Sequence, residues 1–133
     1  LTVEAGTTLK LQPRADIQVR TNGALALAGT ADAPVTVTSA KATPARGGWQ
    51  GSEGYADSVG PTHVLTPAIV EYGGGDGYGN IRIQNALPTV TGDSIGHSAA
   101  YGIHLSGSEY PDRAALLANN YFYDNASGDV NQP

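Results

Sequence analysis

Ala68-Ile69-Val70-Glu71-Tyr72-Gly73, Asp93-Ser94-Ile95-Gly96-His97-Ser98 and Asn120-Tyr121-Phe122-Tyr123-Asp124-Asn125 are three copies of one segment. Each carries a branched or aromatic apolar residue in third place, Val70, Ile95 and Phe122. Five residues earlier stand Leu65, Val90 and Leu117, and beyond the column come Ile81 with Ile83, Ile103 with Leu105, and Val130. The sixth place is Gly73, Ser98 and Asn125, small or turn-forming every time. The column returns after 25 and then 27 residues, in the range where self-similarity signals stacked structural repeats.

The first forty residues carry a shorter period. Leu1 with Val3, Leu9 with Leu11, Ile17 with Val19 and Leu25 with Leu27 step by eight, and each pair puts both side chains on one face of a strand. Turn formers separate the pairs, among them Ala5-Gly6-Thr7, Pro13-Arg14-Ala15-Asp16 and Thr21-Asn22-Gly23. A hairpin meander has the same spacing. A coil is favoured because three steps of eight nearly match the later period, so that each turn holds three strands and three corners. Val35-Thr36-Val37-Thr38 then reads as a strand and Gly47-Gly48-Trp49-Gln50-Gly51 as the next, with Trp49 in or near the core. Residues 52–61, rich in Gly, Ser, Asp and Pro, have no periodicity and read as an inserted loop or long corner. The expectation is a single all-β domain over residues 1–133, with five coils beginning near residues 1, 25, 64, 89 and 116.

Composition agrees with many short strands. Eighteen glycines and eight prolines, with 14% charged residues, argue against a helical bundle. With no cysteine, disulfides, zinc-cysteine sites and thiol chemistry are excluded. A net charge of −5 with scattered Lys and Arg offers no basic stripe, so nucleic acid is not an expected partner. Apolar runs are far shorter than the roughly 20 residues that span a bilayer. The chain opens directly in a strand pattern at Leu1-Thr2-Val3-Glu4, without Met or signal peptide, and reads as mature or excised material. Its first strand has no capping segment before it, so self-association through the N-terminal coil is expected.

Val3-Glu4-Ala5-Gly6-Thr7-Thr8-Leu9-Lys10-Leu11, Gly23-Ala24-Leu25-Ala26-Leu27-Ala28-Gly29-Thr30-Ala31, Pro34-Val35-Thr36-Val37-Thr38-Ser39 and Gly48-Trp49-Gln50-Gly51, with the later Ile69-Val70-Glu71-Tyr72-Gly73-Gly74 and Tyr101-Gly102-Ile103-His104-Leu105, resemble the right-handed parallel β-helix repeat proteins of bacterial surfaces and secretions, which share the pectate lyase-like superfamily fold. The resemblance covers nearly the whole chain except residues 52–61. It implies an extracellular, cell-surface or periplasmic location in a bacterium. For function it leaves two classes open, adhesins and spacer modules on one side and polysaccharide lyases and hydrolases on the other.

The lyase-like members would imply an acidic calcium cluster with a basic residue, and the polygalacturonase-like members several Asp residues on adjacent coils. Aligning the three copies sets Glu71, Gly96 and Tyr123 in one column, Ala68, Asp93 and Asn120 in a second, and Tyr72, His97 and Asp124 in a third. Adjacent coils lie about 5 Å apart, which would bring Glu71, Asp93, His97 and Asp124 towards one patch, and glycoside hydrolysis uses a carboxylate pair about 5 to 10 Å apart. By strand parity, however, Glu71 points outward while Asp93 and His97 point with Ile95, at the corners. The competing reading is that these residues bond the turn backbone. It is preferred, so no catalytic residue is assigned.

The stretch Gly73-Gly74-Gly75-Asp76-Gly77-Tyr78-Gly79-Asn80 offers hard oxygen donors for calcium, with Asp76 as its one carboxylate. It occurs once and reads as a corner loop, and His63, His97 and His104 share no ligand spacing. No cofactor motif is visible. Tyr121 and Tyr123 flank Phe122 and point outward beside small Ser94 and Gly96. Bare aromatic faces suit stacking on sugar rings or on another protein; equally, they suit covering the terminal coil. The expected function is a non-catalytic surface or adhesion scaffold, or a glycan-binding spacer, whose partner is a polysaccharide or another surface protein. The alternative is a carbohydrate-active enzyme, whole or in part.

Overall fold

A computed structural model describes residues 1–20, 22–55 and 64–133. The first coil is β1 (Thr2–Glu4), β2 (Thr8–Leu11) and β3 (Asp16–Val19), and the second β4 (Ala26–Ala28), β5 (Val35–Ser39) and β6 (Gly51–Tyr55). The third is β7 (Val64–Thr66), β8 (Ala68–Glu71) and β9 (Gly79–Gln84), and the fourth β10 (Thr89–Val90), β11 (Ser94–Gly96) and β12 (Tyr101–Ser106). The fifth opens with a helix, α1 (Arg113–Asn119), and closes with β13 (Tyr121–Tyr123) and β14 (Gly128–Val130). Corresponding strands pair in parallel into three sheets: A in the order β1-β4-β7-β10, B in the order β13-β11-β8-β5-β2, and C in the order β14-β12-β9-β6-β3. This is a parallel β-helix of five coils. No helix among the described residues is long and apolar enough to cross a membrane.

Register turns the sequence periods into interior columns. Val3, Leu27, Leu65 and Val90 stack in sheet A. Leu9, Val37, Val70, Ile95 and Phe122 stack in sheet B, and Val19, Gly54, Ile83 and Leu105 in sheet C. Val37, Val70 and Ile95 are at most 1% exposed. Burying each such side chain contributes roughly 1.5–3 kcal/mol. Leu9, Leu11 and Ile17 of the first coil are only partly buried.

Three expectations are corrected. Residues 47–49 form a turn rather than a strand; the strand begins at Gly51, and Trp49 is fully buried in the corner, donating from Nε1 to the Glu71 carbonyl at 2.9 Å. Ser52 to Tyr55 of the expected loop therefore belong to β6, while 56–61 lie outside the described residues. Leu117 stands in α1, not in a strand stacked on Val90, and it is Leu116 that is buried. Asp112 caps this helix, its carboxylate accepting from the Ala115 amide at 3.0 Å.

Candidate functional site

The corners that leave sheet B are built from one backbone conformation repeated. Tyr72, His97 and Asp124 each follow a sheet B strand, and their φ angles are 61°, 51° and 54°. This left-handed region disfavours residues with a Cβ, so three successive coils spend backbone strain to turn their side chains onto one edge. The Tyr72 and His97 rings stack at 4.7 Å with planes 13° apart. His97 Nδ1 lies 2.8 Å from Asp124 Oδ2, and the Tyr123 ring meets the imidazole edge-on at 5.1 Å. Arg46 Nη2 donates to the Asp124 carboxylate and, at 3.0 Å, to its carbonyl. The His97 hydrogen bond, with the Arg46 charge beside it, holds the Asp124 carboxyl below the usual range.

Beside this corner lies the outer face of sheet B. Tyr121, Ser94, Ile69, Thr36 and Thr8 form one outward column by register. Tyr123 stands over Gly96 and Gly96 over Glu71 in the other. Its ring lies flat on Gly96, where any Cβ would run into it. The phenol thereby reaches a further coil down and donates to Glu71 Oε2 at 3.2 Å, while Thr38 donates to Glu71 Oε1 at 3.1 Å. Burial and the Glu71 charge raise the Tyr123 phenol well above its ordinary value. Tyr123 is thus half-buried and occupied rather than bare. Tyr121 is 67% exposed, and its ring stacks on Tyr123 at 5.6 Å and 25°.

A groove of about 520 Å³ runs along the corner between sheets A and B, lined by Ala31, Pro34, Pro67, Ile69, Gly92 and Ser94. Two of its lining residues, Ile69 and Ser94, stand in the Tyr121 column, with Tyr121 next in register beyond Ser94.

Of the remaining candidates, Asp93 is enclosed behind the groove, between its lining residues Gly92 and Ser94, and the others lie apart. Asp93 is 1% exposed, inside the corner between sheets A and B, where Oδ1 accepts the Ala68 amide at 2.6 Å and Oδ2 has no partner. Burial, opposed by the amides of Ala68 and Thr91, pushes its carboxyl up to about 7. Asp76 lies in the loop before β9 and accepts the Tyr78 amide at 2.9 Å; burial raises its pKa. Near it Arg82 bridges Glu53 at 3.1 Å and covers the Tyr78 ring at 3.7 Å, and Tyr78 meets His104 edge-on. Burial and the Arg82 charge lower the His104 pKa. His63 falls outside the described residues, among which no three His, Asp or Glu side chains converge as metal ligands.

Sequence reasoning missed Asn80 and Arg46. Asn80, fully buried, accepts the Gly73 amide at 2.7 Å and donates to the Val70 and Gly96 carbonyls at 3.0 and 2.7 Å, tying two coils together. Its signal was an amide residue next to a run of alternating apolar positions. Arg46 lies 78 residues from Asp124 in a stretch without periodicity, and nothing local marks the pair. Comparison with protein-family models, with curated proteins and with solved structures finds no significant match.

Proposed function

We propose that this chain is a non-catalytic module of the bacterial secreted or cell-surface β-helix type, with the pectate lyase-like fold, that presents a glycan-binding face on an adhesion scaffold or spacer. The observation that carries the reading is the 67% exposed Tyr121 ring, held on a β-sheet face by its stack with Tyr123. An aromatic face fixed by strand pairing loses little freedom on binding, and its apolar surface suits the C–H face of a sugar ring. The state of the carboxylates supports binding over catalysis. Glu71 is spanned by Thr38 and Tyr123, Asp124 is tied to Arg46 and His97, and Asp93 is enclosed. A hydrolase needs a paired acid and base open to the scissile bond.

The test is a glycan array probed with the purified chain and with Tyr121→Ala. The reading expects saccharide binding that the variant weakens by up to roughly tenfold while its melting temperature stays unchanged, because Tyr121 lies outside the core. Release of reducing ends or unsaturated products from pectin or alginate by the purified chain would instead establish the enzyme.

A further inference from the structure

We infer that the saccharide taken by this face is an uncharged one, seated in the groove between sheets A and B with one ring against Tyr121, and not a uronan; the inference rests on the glycan-binding reading. The groove has the size of a small-molecule site. Its lining is proline, alanine, isoleucine, glycine and serine, without one charged side chain. A uronate carboxylate entering it would lose water and meet no cation, and burying an unpaired charge is strongly unfavourable.

The charged groups that flank the groove point the same way. Glu71 is two residues beyond Ile69 and on the same outer side of β8, so the nearest charge along that strand is negative. Arg46 is already bound to Asp124 at the next corner. The chain as a whole carries −5, which repels a polyanion before contact. Sugar hydroxyls, by contrast, can both donate to and accept from the Ser94 hydroxyl beside Tyr121. Apolar surface at Pro34, Pro67, Ile69 and Tyr121 takes the C–H faces.

The experiment titrates the intact chain with cellopentaose, xylopentaose and mannopentaose as uncharged probes and with pentagalacturonate as the charged one, at low and at 150 mM salt, followed by backbone amide chemical shifts. At least one uncharged pentaose is expected to bind, shifting the amides of Ile69, Ser94 and Tyr121. Tyr121→Ala should weaken it by up to roughly tenfold, the worth of one aromatic stack. Pentagalacturonate should not bind, and Ile69→Lys, which places a cation in the groove, should admit it. If pentagalacturonate binds the parent as tightly as the neutral probes, the inference is overturned while the glycan-binding reading stands. If no saccharide binds, the reading itself fails and the inference with it. Binding of a neutral probe that is indifferent to Tyr121→Ala and shifts amides elsewhere overturns the placement.

Discussion

At position 93 a carboxylate stands where the next coil uses an amide. Asn120 accepts the Asp93 amide at 3.1 Å through Oδ1 and donates through Nδ2 to the Val90 and Leu116 carbonyls at 3.0 and 2.9 Å. One coil down, Asp93 Oδ1 repeats the first bond with Ala68, but a carboxylate has no proton to give and Oδ2 is left alone. Val90 stacks on Leu65, so by analogy with Asn120 a donor at 93 would be directed to the Leu65 carbonyl, which accepts the Thr91 amide at 3.3 Å and has a second lone pair. Burial of the carboxylate, offset only in part by the Ala68 and Thr91 amides, makes the folded chain favour the protonated acid and raises its pKa to about 7 from 3.8. The stabilisation is complete below the unfolded value near 3.8 and is lost as pH climbs through 7, at about 1.4 kcal/mol per pH unit in between. The melting temperature is expected to fall from pH 5 to pH 8, and Asp93→Asn, whose carboxamide supplies the missing donor, to flatten that fall and exceed the parent at pH 8. Thermal melts by circular dichroism check this; an unchanged pH slope in the variant would show that Asp93 is not its source. The three aligned copies set Asp93 between Ala68 and Asn120, so the column is legible in the sequence. Its burial is not, because alternation says which way a side chain points and not how tightly the corner closes over it.

Among the elements, periodicity misread α1 and overlooked β6. Leu117 falls in phase with Leu65 and Val90, and a lone apolar residue in phase fits a strand as well as a helix. The opposing signals were local: Asp112 as N-cap, then the helix-forming run Ala114-Ala115-Leu116-Leu117-Ala118. The mutual register of β8, β11 and β13 was legible, because one register error would have turned Val70, Ile95 or Phe122 outward, but not their limits, which fall short of the six-residue segments. Strand β6 was not, since Gly51-Ser52-Glu53-Gly54-Tyr55 shows no apolar alternation and owes its extended form to pairing with β3 and β9. The same distinction holds at the candidate site: Tyr121 was placed outward from parity alone, whereas the ring of Tyr123 over Gly96 depends on a contact across two coils. In the fifth coil two side chains tie down the backbone around β14. Asn131 takes the Leu105 amide at 2.6 Å and donates to its carbonyl at 2.9 Å, and Arg113 covers the Val130 and Asn131 carbonyls with three bonds. Bonds from a charged donor are worth about 1.5–3 kcal/mol. Arg113→Ala is expected to destabilise by that order, with amide exchange rising first at β14; urea denaturation together with hydrogen exchange reads both, and uniform loss of protection across all coils would contradict a local tie.

For the molecule as a whole, three parallel sheets make a prism in which strand spacing of about 4.8 Å sets the height, on the order of 20 Å for five coils. Residues far apart in sequence are therefore close along one face, and the candidate site depends on it: Tyr123 and Glu71, 52 positions apart, share a hydrogen bond. The proposed glycan face, the Asp93 corner and the Arg113 bonds to β14 all presuppose this stacking. Because the chain has no cysteine, labels can be placed without ambiguity. Exposed Thr8 and Tyr121 head and close one outward column through Thr36, Ile69 and Ser94, four coil steps in all. Nitroxides on Thr8→Cys and Tyr121→Cys, measured by double electron–electron resonance, should give a single narrow distance near 20 Å. A broad distribution, or one centred beyond roughly 30 Å, more than six strand spacings, would contradict the coil and favour a meander of hairpins.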